Sequence, residues 1–292
     1  MGMHLNRAKM YFGTDTRGFL EGGRYSLLHT RSLEFDDLRP YVPGDDIRDI
    51  DWKASARSGT ESVLIKRFVS EKHHKILLVA DAGRNMAALA PSGEVKRDIA
   101  LHVMGALGLV TLRRSDELGL AYGDGHSCAN IPVRRGETHI ESLLDRFYTH
   151  ALNRPGASDI VNQLHYVATG YKRRMLIILV SDEPDLDGAL PDALGALTGR
   201  HDLMWVMISD MPAVGSAEGE LDGFDVATGR FVLNGATLGN RVIADYRAAE
   251  NARLAQLDAF LTEQAIPYTR INGSSEIRDR LMTLSEEFAH AN

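Results

Sequence analysis

The sequence predicts an α/β fold: a mostly parallel sheet with helices on both faces, one antiparallel edge strand, and a charged N-terminal segment ahead of it. Three observations carry this expectation. Short apolar runs such as Ile76-Leu77-Leu78-Val79-Ala80 and Met175-Leu176-Ile177-Ile178-Leu179-Val180 lack polar alternation, as strands buried on both faces require. Between such runs lie segments whose apolar residues recur at helical spacing. Residues 31–75 hold nine acidic and nine basic residues in 45 positions, which suits an ion-paired segment and not a separate apolar core. The expected division is 1–75 for that segment and 76–292 for the α/β domain.

In chain order, 63–69 reads as a strand whose Lys66 and Arg67 are tolerable at a sheet edge. The run 76–80 is the first buried strand and ends at Asp81. Val95, Ile99, Val103, Leu107 and Val110 then mark a helix, with enough apolar residues between them to bury more than one side. A second strand at 118–122 meets Asp124-Gly125, a two-residue turn signal that returns the chain as an antiparallel strand near 126–133. Helices follow around Ile140 to Phe147 and Ile160 to Val167. The run 175–180 is the clearest buried strand and leads into Ser181-Asp182. A short helix at 192–197, a strand at 203–208 and a small hairpin across 224–233 come next. A long helix at 241–264, a strand at 266–271 and a helix carrying Ile277, Leu281, Leu284 and Phe288 complete the order. The runs at 76–80, 175–180 and 203–208 are expected to be adjacent parallel strands.

Charge narrows the function classes. The chain of 292 residues has 33 Lys+Arg against 40 Asp+Glu, a formal net charge of −7. Between Asp182 and Asp225 there are 11 acidic residues and one basic residue, Arg200, so this stretch carries −10 and the remainder +3. An acidic chain is poorly suited to nonspecific nucleic-acid binding, which draws its affinity from phosphate neutralisation. The single cysteine, Cys128, excludes an internal disulfide and a multi-cysteine zinc site. No apolar run approaches a membrane span, and Met1-Gly2-Met3-His4-Leu5 lacks a signal peptide's apolar core. The expectation is a cytoplasmic protein without membrane insertion.

Open α/β sheets bind ligands at the carboxyl ends of their strands, which here are Asp81 and Asp182. Two carboxylates converging on one crevice can hold a hard cation such as Mg2+ or Mn2+; each can equally cap the helix after its strand. The run Asp81-Ala82-Gly83-Arg84-Asn85-Met86 resembles the metal-ion-dependent adhesion site of von Willebrand factor type A domains, in which D-x-S-x-S follows the first strand. The resemblance implies a metal set of Asp81, Asn85, Thr138 and Asp182. Gly83 stands where the first Ser belongs and Asn85 where the second does, so the site is a degenerate version. Thr138 also fits a capping box with Glu141.

The segment from Leu33 to Arg57 contains Glu34-Phe35-Asp36-Asp37-Leu38-Arg39-Pro40-Tyr41-Val42-Pro43-Gly44-Asp45-Asp46-Ile47-Arg48-Asp49-Ile50-Asp51-Trp52. It resembles the signature of the domain-of-unknown-function 58 family, which lies just before a von Willebrand A-like domain. Physically, Pro43-Gly44-Asp45-Asp46 is a turn. Arg39, Arg48 and Arg57 are forked donors suited to Asp45, Asp46, Asp49 and Asp51, and Trp52 is the expected apolar anchor onto the α/β body. The group reads either as a structural clasp or as a protein-binding surface.

The resemblance to that family implies a MoxR-type AAA+ ATPase as partner, with this protein as adaptor in a chaperone or complex-assembly role. The competing reading is a metal-dependent, nuclease-like enzyme using Asp51 and Lys53, with Asp36 or Asp37 as a further carboxylate. Loops after strands share one end of a sheet, so Asp182, Glu183, Asp185, Asp187 and Asp210 are expected beside Asp81 on an acidic rim that binds a basic partner surface. Lys75, Arg113, Arg114 and Lys172-Arg173-Arg174 precede strands and are expected at the other end; Arg134 and Arg135, close before Thr138, are expected at the acidic one.

Overall fold

The computed structural model describes residues 2–13, 33–43, 45, 47–57, 63–70, 74–153, 156–186, 188–212, 223–226, 229–232 and 239–291. The chain divides into two units, one within residues 30–74 and one formed by residues before 30 together with those from 75 onward. Helix α1 (Met3–Phe12) belongs to the larger unit, where Leu5, Ala8 and Phe12 are buried. The boundary expected at residue 75 therefore does not hold for the first helix. Its docking is set far along the chain: both carboxylate oxygens of Glu141 accept from the helix's first N–H groups, His4 at 2.7 Å and Leu5 at 3.1 Å.

The smaller unit is an antiparallel pair, β1 (Leu33–Pro40) and β2 (Leu64–Ser70), joined through a 3-10 turn and the short helix α2 (Trp52–Arg57). A bulge between Phe35 and Asp37 interrupts the pairing. The connection folds back on β2: Tyr41 N–H donates to Val63 C=O at 2.8 Å, Ile50 bridges Ile65, and the Ser55 hydroxyl accepts from Leu64 N–H at 2.8 Å. The strand expected at 63–69 is thus present, paired with part of the signature itself.

The larger unit is built on β3 (Lys75–Asp81), β4 (Glu117–Gly123), β5 (Cys128–Arg134), β6 (Leu176–Ser181), β7 (Asp202–Ile208) and β10 (Tyr268–Ile271). The sheet order is β10-β7-β6-β3-β4-β5, and every neighbouring pair is parallel except β4 with β5. The three runs expected to be adjacent are adjacent. A separate pair, β8 (Gly223–Phe224) and β9 (Phe231–Val232), forms the small hairpin. The helices are α3 (Lys96–Arg114), α4 (Glu137–Leu152), α5 (Ile160–Gly170), α6 (Ala189–Thr198), α7 (Asn240–Glu263) and α8 (Ile277–Ala291).

Alternation along β3 shows why its run is wholly apolar. Ile76, Leu78 and Ala80 join one core with residues of α1, α3, α4 and α8, while Leu77 and Val79 join another with residues of α5, α6 and α7. Helix α3 is buried nearly all round, which explains an apolar pattern too broad for one face. Gly105 on α3 accommodates α1: a Cβ there would lie 2.5 Å from the Ala8 Cβ. The glycine costs about 1 kcal/mol of helix propensity, against about 1.5–3 kcal/mol for each of Leu5 and Phe12 buried by the approach. Among the described residues no helix is long and apolar enough to cross a membrane.

Candidate functional site

From β3 the chain proceeds outward through β4 and β5, then returns past β3 to build β6, β7 and β10 on the other side. The order therefore reverses between β3 and β6, and the crevice at their carboxyl ends is the position where open sheets take ligands. Asp81 ends β3 and Asp182 follows β6, so the topology brings the two expected carboxylates to this point.

Asp81 is completely buried. One oxygen accepts from Gly83 N–H at 2.9 Å, while Oδ2 has no hydrogen-bond partner. Burial, followed by the Asp182 charge, pushes the Asp81 carboxyl up to about 7 against the opposing pull of Ser158, Gly83 and Lys96. Asn85 faces Asp182 through its amide nitrogen, which donates to Asp182 Oδ2 at 2.9 Å. The expected amide-oxygen ligand is therefore presented as a donor.

Thr138 lies elsewhere. It is exposed on the first turn of α4, just after β5, and β5 runs antiparallel so that Arg134 pairs with Leu118 at the start of β4. That is the amino end of the parallel sheet, opposite Asp81. Arg135 is there too, 3.5 Å from Glu117; the expectation that Arg134 and Arg135 join the acidic end fails for the same topological reason. The hydroxyl beside Asp81 comes instead from Ser158, in the loop between α4 and α5, whose Oγ accepts from Asn85 N–H at 3.1 Å. This loop explains Gly83 as well: a Cβ on Gly83 would lie 2.4 Å from the Ser158 Cα, so the backbone excludes a serine at that position.

The residue that sequence reasoning missed most completely is Lys96. It opens α3 and is fully buried, with its ammonium paired to Asp210 and 3.7 Å from Asp182. A cation at a helix amino terminus opposes the helix dipole, and a buried ammonium is costly unless paired. That mismatch is the one local signal that this lysine serves carboxylates elsewhere in the chain.

The donor set does not fit a divalent ion. Asp182 is faced by an amide N–H2 and an ammonium, Asp210 by the same ammonium, and one Asp81 oxygen by a backbone N–H, where a hard cation needs oxygen ligands.

Around this crevice the acidic rim is less pure than its sequence suggests. Glu183 is buried between Arg270, at 2.8 Å, and Arg253, at 3.6 Å. Asp185 is exposed with Arg253 at 3.5 Å. Asp187 lies outside the described residues. At the amino end, Arg114 and Arg174 are paired to Asp116 and Asp202, at 3.1 and 2.6 Å. Asp124, just after β4, is a structural hub: it accepts from the N–H groups of Gly156, His126 and Ser127 and bonds His150. Despite its burial these bonds hold its carboxyl down at about 2. Cys128 has its thiol pushed up to about 11 by burial, unlike an activated nucleophile.

In the smaller unit, Arg39 and Asp45 form a two-pronged pair at 2.8 and 2.7 Å, and Asp45 also accepts from Val42 N–H at 2.9 Å. The Arg39 hydrogen bonds, then that of Val42, hold the Asp45 carboxyl below its usual range. Asp51 is the cap of α2, accepting from Lys53 and Ala54 N–H at 3.1 and 3.0 Å. The carboxylate assigned to the nuclease-like reading thus has a structural task. Lys53, Arg48 and Arg57 are exposed. Trp52 is 67% exposed. Asp46 lies outside the described residues, as do the side chains of Asp36, Asp37 and Asp49.

A family model described as "Protein of unknown function DUF58" matches residues 37–248. Uncharacterised proteins of Mycobacterium tuberculosis and Mycobacterium bovis are each 24% identical over 195 residues, covering 66% of this chain and 60% of theirs. The chain thus spans about 60% of the length of these relatives. Among solved structures, an aerotolerance-related membrane protein from Bacteroides fragilis is 15% identical with a TM-score of 0.45, covering 74% of this chain and 98% of that one. A von Willebrand factor type A protein from Catenulispora acidiphila is 12% identical with a TM-score of 0.41, covering 79% of this chain and 45% of that one.

Proposed function

This chain belongs to the DUF58 family and carries a von Willebrand A-like sheet, and from that premise we propose that it is a protein-binding module whose docking surface is the carboxyl end of the sheet. One observation carries the reading. The loops after β3, β6 and β7 place exposed Leu89, Leu186 and Met211 at the same end as exposed Asp185 and half-exposed Asp210. Apolar groups set among solvent-facing carboxylates suit a partner surface that is basic with apolar contacts at its centre. The choice of partner follows the family resemblance: a MoxR-type AAA+ ATPase, served by this protein as a cytoplasmic adaptor in a chaperone or complex-assembly role.

The test is binding of the purified chain to the purified MoxR-type ATPase of the same organism, by surface plasmon resonance at increasing salt. Association should slow several-fold between about 50 and 200 mM salt, because electrostatic steering is screened. Asp185→Lys should slow it further with little effect on folding, since the side chain is exposed, and Leu186→Ser should shorten the complex's lifetime. Indifference to salt and to both substitutions rules out this docking surface. Absence of any complex at micromolar concentration rules out the ATPase.

A further inference from the structure

A divalent ion draws oxygen ligands around itself, at about 2.1 Å for Mg2+. The crevice between β3 and β6 holds a different cation. Lys96 is anchored at the start of α3, where its N–H donates to Ala88 C=O at 2.9 Å, and its side chain is 0% exposed. The ammonium meets Asp210 and lies 3.7 Å from Asp182 Oδ2, the oxygen that also takes the Asn85 amide. Asp81, likewise 0% exposed, lies near enough for the charges of Asp182 and Lys96 both to act on its carboxyl. Two carboxylates of separate loops therefore meet one positive charge that the chain itself supplies, with a third, Asp81, beside them at the end of β3.

We propose that the Lys96 ammonium is a tethered counter-ion, seated where a divalent cation would otherwise join Asp81, Asp182 and Asp210, and that the site is therefore metal-independent. A lysine cannot dissociate, so this end of the sheet keeps its loop arrangement whether or not divalent ions are present. Two features reinforce the assignment. Gly83 cannot be exchanged for an oxygen-bearing side chain without striking the Ser158 backbone. Asn85 turns a donor toward Asp182, the choice that suits a carboxylate without a metal. The inference stands independently of the identity of any protein partner.

The experiment compares thermal melting of three proteins in EDTA and in millimolar Mg2+ or Mn2+. The wild type should melt identically in all of them. Lys96→Met should melt lower than wild type in EDTA, because Asp182 and Asp210 are left without the ammonium and Asp81 without its nearby positive charge. Metal at about 100 times its dissociation constant should then raise its melting temperature by roughly 5 °C or more. Lys96→Met combined with Asp210→Asn should recover in EDTA without metal, since one negative charge leaves with the positive one. A metal-dependent rise in the wild type overturns the proposal, as does a folded Lys96→Met that melts alike in EDTA and Mn2+. If Lys96→Met alone does not fold in EDTA, the double variant must; its failure also overturns the assignment.

Discussion

Replacing Asp81 by asparagine should stabilise this protein above neutral pH and leave it unchanged in mild acid. The carboxyl is completely buried, accepts a single backbone hydrogen bond from Gly83, and has one oxygen with no partner. Burial and the nearby Asp182 charge raise it from 3.8 to about 7. The folded chain thus holds this proton more tightly than the unfolded chain does. Stability attributable to the group is highest below about pH 4, declines as pH rises toward 7, and stays low above it. At 1.36 kcal/mol per pKa unit the full decline is about 4 kcal/mol, and relaxation of Lys96 and Ser158 around the ionised form brings the expected range to about 2–4 kcal/mol. Asparagine keeps the acceptor for Gly83 N–H and can turn its N–H2 toward Asp182. Urea unfolding followed by circular dichroism near pH 4 and near pH 8 reads the difference, as a shift in midpoint at constant slope. A variant less stable than wild type near pH 8, or one with an unchanged pH dependence, would refute the reasoning.

Other changes probe the surrounding construction. Gly83→Ser should destabilise by about 1–3 kcal/mol through the clash with Ser158 and gain no Mn2+ binding; calorimetry and melting check both, and a stable serine variant that binds Mn2+ contradicts the steric account. Asp124 holds its carboxyl at about 2 against 3.8 in the unfolded chain, so its contribution is present above about pH 4 and lost as pH falls through about 2. Asp124→Asn should therefore cost about 2 kcal/mol at neutral pH and reduce the loss of stability in acid, both readable from urea midpoints. Gly105→Leu should push α1 off α3, cost about 1–3 kcal/mol and make the first helix sensitive to limited proteolysis; protection equal to wild type would mean that the close approach at Ala8 is not needed.

Much of the fold was legible because its signals are local. The runs at 76–80, 175–180 and 203–208 announced buried parallel strands through apolar continuity alone, and the rule for open sheets sent Asp81 and Asp182 to one crevice before any contact was known. The antiparallel return after β4 was legible too, although its connection runs over four residues from Asp124 to Ser127 and not two, yet its consequence for Thr138 depends on following the chain to the other end of β4. What only the tertiary structure decided are contacts between residues far apart in sequence: Glu141 capping α1, Ser158 standing beside Asp81, and Lys96 joining Asp182 and Asp210. Side-chain spacing reports which face of an element is apolar, because strand and helix geometry repeat every two or 3.6 residues. It does not report which polar group from another element fills the space above that face. Here that space holds an ammonium, set by how α3 packs at the carboxyl end of the sheet.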